Sequence, residues 1–157
     1  MDKIIIAAVS ENGIIGKNGG LPWNIKSDLL FFKETTLGFP IIMGYNTFKS
    51  LNEPLSGRIN IVLTHKKIIN KDNNLIFVNS IIKAFKVAEN TNKEKLFIIG
   101  GSKIYEQFLL LADNIIISRI KGNYTGDCYF PFIEKTFWEL YKIEEKEDFN
   151  IEHYKRK

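Results

Sequence analysis

The chain has 157 residues and a formal net charge of +4, and it is 45% hydrophobic and 25% charged, which is typical of a soluble globular protein with one core. We therefore expect a single domain over residues 1–157, and no apolar run approaches the ~20 residues that span a bilayer. The single cysteine, Cys128, excludes an intrachain disulfide framework and, with the absence of a signal-peptide pattern after Met1, predicts a cytoplasmic protein.

Short apolar segments rich in Ile and Val alternate along the chain with helix-like segments. Apolar runs of this length are typical of parallel strands buried on both faces. The alternation predicts an α/β fold with a mostly parallel central sheet and flanking helices, and two strands near Trp138–Phe149 and His153–Arg156 are expected to add an antiparallel C-terminal edge. The other predicted strands are Lys3–Val9, Pro40–Met43, Ile59–Leu63, Leu75–Val78, Lys95–Ile99 and Asn114–Ile120, and the predicted helices are Ile25–Leu37, Asn46–Leu51, Ser80–Glu89 and Ser102–Leu111.

An acidic residue in apolar surroundings stands in the first predicted helix. Residues three and four apart share a helix face, which puts Asp28 beside Phe31 on the flank of a buried stripe of Ile25, Leu29 and Phe32. A carboxylate there is costly unless a cation or a hydrogen-bond donor meets it. Asp28 is therefore either a functional acid or a first-turn residue that satisfies backbone N–H groups or the helix dipole, and this segment alone leaves both open.

Two glycine segments could serve an anionic cofactor. Ile98–Lys103 reads as a strand, a glycine pair and a helix start, and Gly44–Thr47 is a second helix start after a strand. Glycine permits close backbone approach, and unpaired N–H groups at a helix start favour phosphate. The alternative is two ordinary glycine turns with Ser102 and Thr47 as helix caps. No G-x-G-x-x-G run is present, so a standard Rossmann fingerprint is excluded.

Taken together, the motifs closely resemble dihydrofolate reductase in order and separation, over essentially the whole chain. The resemblance implies reduction of 7,8-dihydrofolate to tetrahydrofolate by hydride transfer from NADPH to pterin C6, in support of one-carbon metabolism and of thymidylate and purine synthesis. It would make the protein an antifolate target. The segments that carry the resemblance are Ile4–Val9, Asn12–Gly16, Leu21–Phe32, Pro40–Gly44, Pro54–Thr64, Phe97–Tyr105 and Gly126–Pro131.

The resemblance implies a substrate site built around Asp28, which would bind the pterin together with Ser118. Arg58 would clamp the glutamate carboxylate, although an arginine at a strand start is commonly solvated. Apolar residues would form a slot for the aminobenzoyl ring, although they could equally be plain core. The implied substrate contacts are Ile6, Ala8, Asp28, Leu29, Phe32, Leu51, Leu55, Arg58, Ile99, Tyr105 and Ser118, and the implied catalytic residues are Asp28, Leu21, Trp23 and Ser118.

The resemblance also implies an NADPH site, with a cis peptide between Gly100 and Gly101. Tyr45 stands where the family commonly has an arginine for the 2′-phosphate, which removes a bidentate partner. Lys66 and Lys103 remain as possible cations and Thr64 as a hydroxyl donor, and His65, otherwise a plain surface histidine, fits a 2′-phosphate contact. The implied cofactor contacts are Ala8, Ile15, Gly16, Leu21, Gly44, Tyr45, Asn46, Thr47, Leu63, Thr64, His65, Ile99, Gly100, Gly101, Ser102, Lys103, Ile104 and Tyr105.

Two long connections, Ser10–Trp23 and Lys121–Pro131, are candidates for mobile or functional loops. By resemblance, the glycine-rich first loop closes over the nicotinamide, and water admitted near Leu21 supplies the proton. Trp23 is either a core anchor or bonds a water near the acid. We assign no chemistry to Cys128.

Two other functions remain open at this stage. One is a related pterin or pyrimidine reductase, against which the implied carboxylate clamp argues. The other is a basic RNA-binding protein, but the lysines are scattered and do not alternate with aromatics along one element. We therefore expect small-molecule partners, no nucleic acid as the main partner, no membrane and no metal, and a monomer.

Overall fold

The computed structural model describes residues 1–70 and 72–157. An eight-stranded sheet forms its centre, and a two-stranded sheet lies beside it. The strands are β1 (Asp2–Ser10), β2 (Ile14–Gly16), β3 (Ile41–Gly44), β4 (Asn60–Leu63), β5 (Leu75–Val78), β6 (Lys95–Ile98), β7 (Asn114–Ile120), β8 (Cys128–Tyr129), β9 (Trp138–Glu145) and β10 (Phe149–Arg156). The helices are α1 (Lys26–Thr36), α2 (Tyr45–Leu51), α3 (Ile81–Glu89) and α4 (Ser102–Phe108).

The strand order in the large sheet is β5-β4-β3-β6-β1-β7-β10-β9. All pairings from β5 to β7 are parallel, while β10 pairs antiparallel with β7 and with β9. The predicted α/β class, the mostly parallel sheet and the antiparallel C-terminal edge are therefore confirmed. No helix within the described residues is long and apolar enough to cross a membrane.

The isoleucine run of β1 explains why this strand lies inside the sheet. Ile5 packs into the core cluster on one face, while Ile4 and Ile6 pack into the cluster on the other. All three side chains are buried, as expected for a parallel strand covered by helices on both faces. Successive side chains of β1 point to opposite faces of the sheet, and because both faces are covered, an apolar residue at each position stabilises the fold by its burial.

The topology creates a crevice beside β1. From β1 the chain moves outward to β5, returns to β6 on one side of β1, and then crosses to β7 on the other side. In such sheets, ligands bind outside the carboxyl ends of the strands where the strand order reverses. The functional site is therefore expected at the carboxyl ends of β1, β6 and β7.

The observed element boundaries differ from the predicted ones mainly in the later part of the chain, at α4, β9 and β10. Helix α4 stops at Phe108 rather than Leu111, and β9 stops at Glu145 rather than Phe149. Strand β10 begins at Phe149, four residues before the predicted start at His153. The antiparallel β9–β10 pair extends to Asn150↔Glu145, where β9 ends, and β10 begins one residue earlier because Phe149 pairs with Ile120 of β7.

The predicted buried stripe of α1 is wrong at Leu29. Leu29 is 49% exposed, whereas Asp28 is only 5% exposed. Within α1 only Asp28 and Thr36 are buried, while Phe31 and Phe32 are partly buried and pack against the core clusters, so the helix presents both polar and aromatic side chains to the sheet. Leu29 instead lines the large cavity described below.

Candidate active site

A cavity of about 840 Å³ lies at the carboxyl ends of the central strands, between α1 and the loop that contains β2. Every residue predicted to contact a substrate or cofactor lines it except Trp23, Arg58 and Gly100. Further lining residues were not predicted: Ala7, Gly19, Gly20, Phe31, Ser50, Asn79, Ser80, Ile81, Gln107 and Cys128. The position of Asn79–Ile81 after the end of β5 was a usable signal, because the carboxyl ends of parallel strands share one edge.

Asp28 is the buried acid of this cavity. Burial raises the pKa of its carboxyl group, and an interaction with the Ser118 side chain opposes part of that rise. Its side chain accepts no hydrogen bond from a backbone N–H group among the described residues, and the N-cap of α1 is Ile25. The structure therefore contradicts backbone capping by Asp28, although the residue does lie in the first turn of α1, where a carboxylate interacts favourably with the helix dipole.

Two further polar side chains of the cavity, those of Ser118 and Tyr105, are held by the central strands. Ser118 is 3% exposed on β7, where it pairs with Ala8 of β1. Tyr105 on α4 is buried, and its hydroxyl donates to the Ile6 carbonyl at 2.9 Å. Burial raises the pKa of Tyr105, so its phenol stays neutral and remains a donor.

Glycine is required where the chain passes Tyr105. Gly100 has φ +114°, in the region that favours glycine, and a Cβ atom there would stand 3.0 Å from the Tyr105 hydroxyl oxygen. The peptide between Gly100 and Gly101 is cis, as the resemblance implied. Because glycine has no side chain, the backbone at Gly100 approaches the Tyr105 ring more closely than it could with any other residue at this position.

The two glycine segments form one backbone cradle. The Gly44 N–H group donates to the Gly100 carbonyl at 2.9 Å, which joins the ends of β3 and β6. Gly44 and Gly101 are the N-caps of α2 and α4, and neither helix has a side-chain cap. The predicted alternative, in which Thr47 and Ser102 cap these helices, is therefore wrong.

The glycines leave open the space that a backbone-bound anion would need. A Cβ atom on Gly44 would lie 3.1 Å from Ile104 Cγ1, and one on Gly101 would lie 3.4 Å from Thr47 Oγ1. With the helix N–H groups uncapped, the cradle fits the pyrophosphate of a dinucleotide.

Arg58 is not solvated, contrary to the simple expectation for an arginine near a strand start. It is 7% exposed, and burial lowers the pKa of its guanidinium group. Nε donates to the Ser56 carbonyl at 2.9 Å, and Nη1 donates to Thr36 Oγ1 at 3.0 Å. It lies two residues before β4 rather than at its start.

Asn60 shapes the turn that carries Arg58, a role that no sequence pattern predicted. Its side-chain amide accepts from the Leu55 N–H group at 2.9 Å and donates to the carbonyls of Leu55 and Arg58 at 2.9 and 3.0 Å. Because Asn60 is fully buried, these bonds are shielded from water and fix Leu55 at the cavity and Arg58 beside α1.

The two long loops bind each other through the unpredicted strands β2 and β8. The Phe130 and Asp127 N–H groups donate to the carbonyls of Gly13 and Gly16, each at 3.0 Å. The Asp127 carboxylate accepts from the Asn18 N–H group at 3.1 Å. These bonds hold the cavity-lining part of the first loop in place, and they put Cys128 of β8 on the cavity wall.

Trp23 is a core residue with an unpaired donor. Its ring is 8% exposed and meets the Tyr124 ring edge-on, with centroids 5.1 Å apart. Its buried Nε1 has no hydrogen-bond acceptor among the described residues. Because a buried indole N–H group usually finds a partner, this atom suits a bound water or ligand and fits the second predicted role of Trp23.

The chain as a whole is similar to known enzymes. The family model described as dihydrofolate reductase matches residues 3–156. A dihydrofolate reductase of Buchnera aphidicola subsp. Baizongia pistaciae is 43% identical over 140 residues, covering 89% of this chain and 84% of the relative. One of Buchnera aphidicola subsp. Schizaphis graminum is 41% identical over 155 residues, covering 98% and 89%.

The chain belongs to the dihydrofolate reductase family.

A solved structure agrees with this assignment. Dihydrofolate reductase from Enterococcus faecalis, complexed with NADP(H) and RAB-propyl, matches with a TM-score of 0.85 and 28% identity, and the match covers 99% of this chain and 96% of that one. The dihydrofolate reductase family predicted from the sequence is therefore confirmed, and the RNA-binding alternative is not favoured. No cluster of three His, Cys, Asp or Glu side chains suited to a metal occurs in the described part of the chain.

Proposed function

We propose that this dihydrofolate reductase family member is an oxidoreductase that reduces 7,8-dihydrofolate to 5,6,7,8-tetrahydrofolate with NADPH. The observation that carries the proposal is the shared cavity: the buried Asp28 and the glycine cradle at Gly44 and Gly101 line the same space. A hydride donor held by the cradle and a pterin held by the acid would therefore meet face to face. Positioning of this kind can supply much of an enzyme's rate.

Asp28 binds and orients the pterin in this proposal. Its two oxygens accept hydrogen bonds from the pterin N3–H and 2-amino groups, and its negative charge stabilises a protonated ring. The neighbouring Ser118 hydroxyl lies at the same carboxylate and limits the rise in its pKa. A rigid position on α1 fixes which face of the pterin is presented for reduction.

When bound, NADPH supplies the hydride that is transferred to pterin C6. The chain's own task is to bind and orient this cofactor: uncapped backbone N–H groups after Gly44 and Gly101 take the pyrophosphate, and the cavity floor at Ala8 and Ile99 takes the nicotinamide. The glycine-rich loop with Leu21 covers the reacting rings and excludes bulk water.

Among the charged side chains that line the cavity, only Asp28 lies where the pterin is proposed to bind. The proton for N5 therefore comes from water in this proposal. Leu21 is 47% exposed at the cavity edge and controls water entry. Trp23, with its unpaired buried Nε1, is suited to hold a water molecule.

The substrate tail extends toward Arg58. Leu29, Leu51 and Leu55 line the cavity and form the apolar slot for the aminobenzoyl ring. The guanidinium of Arg58, held rigidly by Thr36 and Ser56, binds the carboxylate beyond this slot. Tail recognition favours dihydrofolate over a related pterin or pyrimidine as substrate.

We further propose that residues 1–157 form one domain that acts as a cytoplasmic monomer without nucleic acid as a main partner. The first strand and the last both flank β7, which supports a single folding unit. A single cysteine suits a reducing compartment.

The test is loss of NADPH absorbance on addition of dihydrofolate, beside a pterin without the glutamate tail. We expect rapid oxidation with dihydrofolate and much weaker use of the truncated pterin. Equal use of both would favour a general pterin reductase, and no oxidation with either would refute the proposed reaction.

A further inference from the structure

The ring of Tyr45 holds two ammonium groups, although neither lysine itself lines the cavity. The Lys66 Nζ atom lies 4.5 Å from the centroid of the Tyr45 ring, and Lys49 Nζ lies 5.5 Å from it. Both distances fall within the ~6 Å reach of a cation–π interaction. The half-buried Tyr45 itself lines the cavity beside the glycine cradle.

The three residues come together through the fold. Lys49 is one helical turn beyond Tyr45 on α2, so the two share a face. Lys66 arrives from the connection after β4, whose pairing of Leu63 with Gly44 sets the two segments side by side. The Lys66 N–H group donates to Thr64 Oγ1 at 3.1 Å, which fixes the start of that connection.

Neither ammonium is neutralised by the protein. Within the part of the chain that the structure describes, no carboxylate lies within 4.0 Å of Lys49 or Lys66. Two like charges gathered on one ring repel each other, which an anionic ligand between them would relieve. The ring attracts both cations but leaves N–H donors free to bind that ligand.

We propose that Tyr45, Lys49 and Lys66 form a clamp for the 2′-phosphate of NADPH, in which Tyr45 is a positioning residue and the lysines carry the charge. The inference rests on the NADPH-dependent activity proposed above. A phosphate monoester carries about −1.5 to −2 charges at pH 7, and ammonium groups bind such a group as point charges. The clamp thus replaces the charge of the arginine that family members commonly have at the Tyr45 position.

The clamp is tested by calorimetric binding of two probes to the full chain: adenosine 2′,5′-bisphosphate, and 5′-AMP, which lacks the 2′-phosphate. Lys66→Met should weaken the bisphosphate about tenfold, with a smaller loss for Lys49→Met. Tyr45→Leu should weaken it about 2- to 5-fold by releasing the lysines, whereas Tyr45→Phe keeps the ring and should bind like the wild type. In each variant 5′-AMP should bind as before.

Lys93→Met is the matched control, since it removes the same charge before β6, at the opposite end of the strands from the cavity, and should leave both affinities unchanged. If Tyr45→Leu weakens both probes equally, the ring contacts the adenosine and the clamp is wrong. It is also wrong if Lys66→Met has no effect or if Tyr45→Phe is as weak as Tyr45→Leu. Equal binding of both probes by the wild type overturns the clamp alone, whereas binding of neither overturns NADPH use as well.

Discussion

Thr36 receives a hydrogen bond from Arg58 Nη1 at 3.0 Å, and its own hydroxyl donates to the Phe32 carbonyl at 2.9 Å. The hydroxyl thereby ties the end of α1 to the turn before β4. Because Thr36 is fully buried and Arg58 nearly so, the bond is shielded from water. The Arg58 guanidinium group is thus held in one orientation in the absence of substrate.

Replacing Arg58 with leucine should weaken dihydrofolate and leave NADPH nearly unaffected. Loss of a charged hydrogen-bond partner costs roughly 1.5–3 kcal/mol, or about 10–150-fold in affinity. Binding constants for dihydrofolate, a pterin without the glutamate tail and NADPH would measure this. An equal loss for the truncated pterin would contradict the carboxylate clamp.

Thr36→Val should act in the same direction but more weakly, because it loosens Arg58 without removing it. We expect KM for dihydrofolate to rise about 2- to 10-fold, the range of one neutral hydrogen bond, with KM for NADPH unchanged. Thr35→Val is a matched control, since Thr35 donates to the Phe31 carbonyl at 2.7 Å and makes no hydrogen bond to Arg58. Identical effects of the two variants would show that Thr36 acts only through helix stability.

Asp28→Asn keeps the shape of the side chain and removes its charge. Hydride transfer to dihydrofolate should fall by orders of magnitude at pH 7, because a neutral amide no longer stabilises a protonated pterin. Activity should recover partly at low pH as the substrate protonates in solution. Single-turnover rates across pH would measure both effects, and a mutant with full activity at pH 7 would exclude the role assigned to Asp28.

The same substitution should stabilise the folded protein at neutral pH. Burial raises the folded-state pKa of Asp28 above its unfolded value, so the folded state holds the proton to higher pH. The contribution of the aspartate to stability is thus fully present below its unfolded pKa, about 3.9, and is lost as pH rises through the folded value. Unfolding titrations should show Asp28→Asn as the more stable protein at pH 7, with a smaller difference near pH 4. A less stable mutant at pH 7 would contradict the assigned direction.

Gly126→Ala should separate the two long loops. A Cβ atom there would collide with the Gly16 carbonyl oxygen and stand 2.6 Å from Ile14 Cγ2, so β2 must move. We expect a loss of about 1–3 kcal/mol in the free energy of unfolding, slower hydride transfer and faster exchange of the Asp127 amide proton. Gly20→Ala is the control for stability, since its Cβ would meet only the Lys17 carbonyl oxygen, at 3.9 Å. If Gly126→Ala and Gly20→Ala destabilised the protein equally, the close contact of Gly126 with β2 would not be the cause of the loss.

Local sequence patterns were enough for most of the fold. The strands Leu75–Val78 and Asn114–Ile120 were predicted with their observed bounds, and α1 within one residue at each end. Strands β2 and β8 were missed, because three and two residues carry no recognisable period and form only by pairing with each other. The predicted burial of Leu29 was wrong for a related reason. A helical pattern shows which residues share a face, but it does not show which face packs on the sheet.

By itself the sequence determined the α/β class, the family, the acid in apolar surroundings and the two glycine segments, since each depends on local patterns or on the order of motifs along the chain. Tertiary structure decided that Arg58 is buried against Thr36, 22 positions earlier, and that Asn18 meets Asp127 across 109 positions. It also gathered Lys49 and Lys66 on Tyr45. Contacts of this kind depend on how the elements pack, because a hydroxyl, carbonyl or ring becomes a partner only when packing brings it within bonding distance.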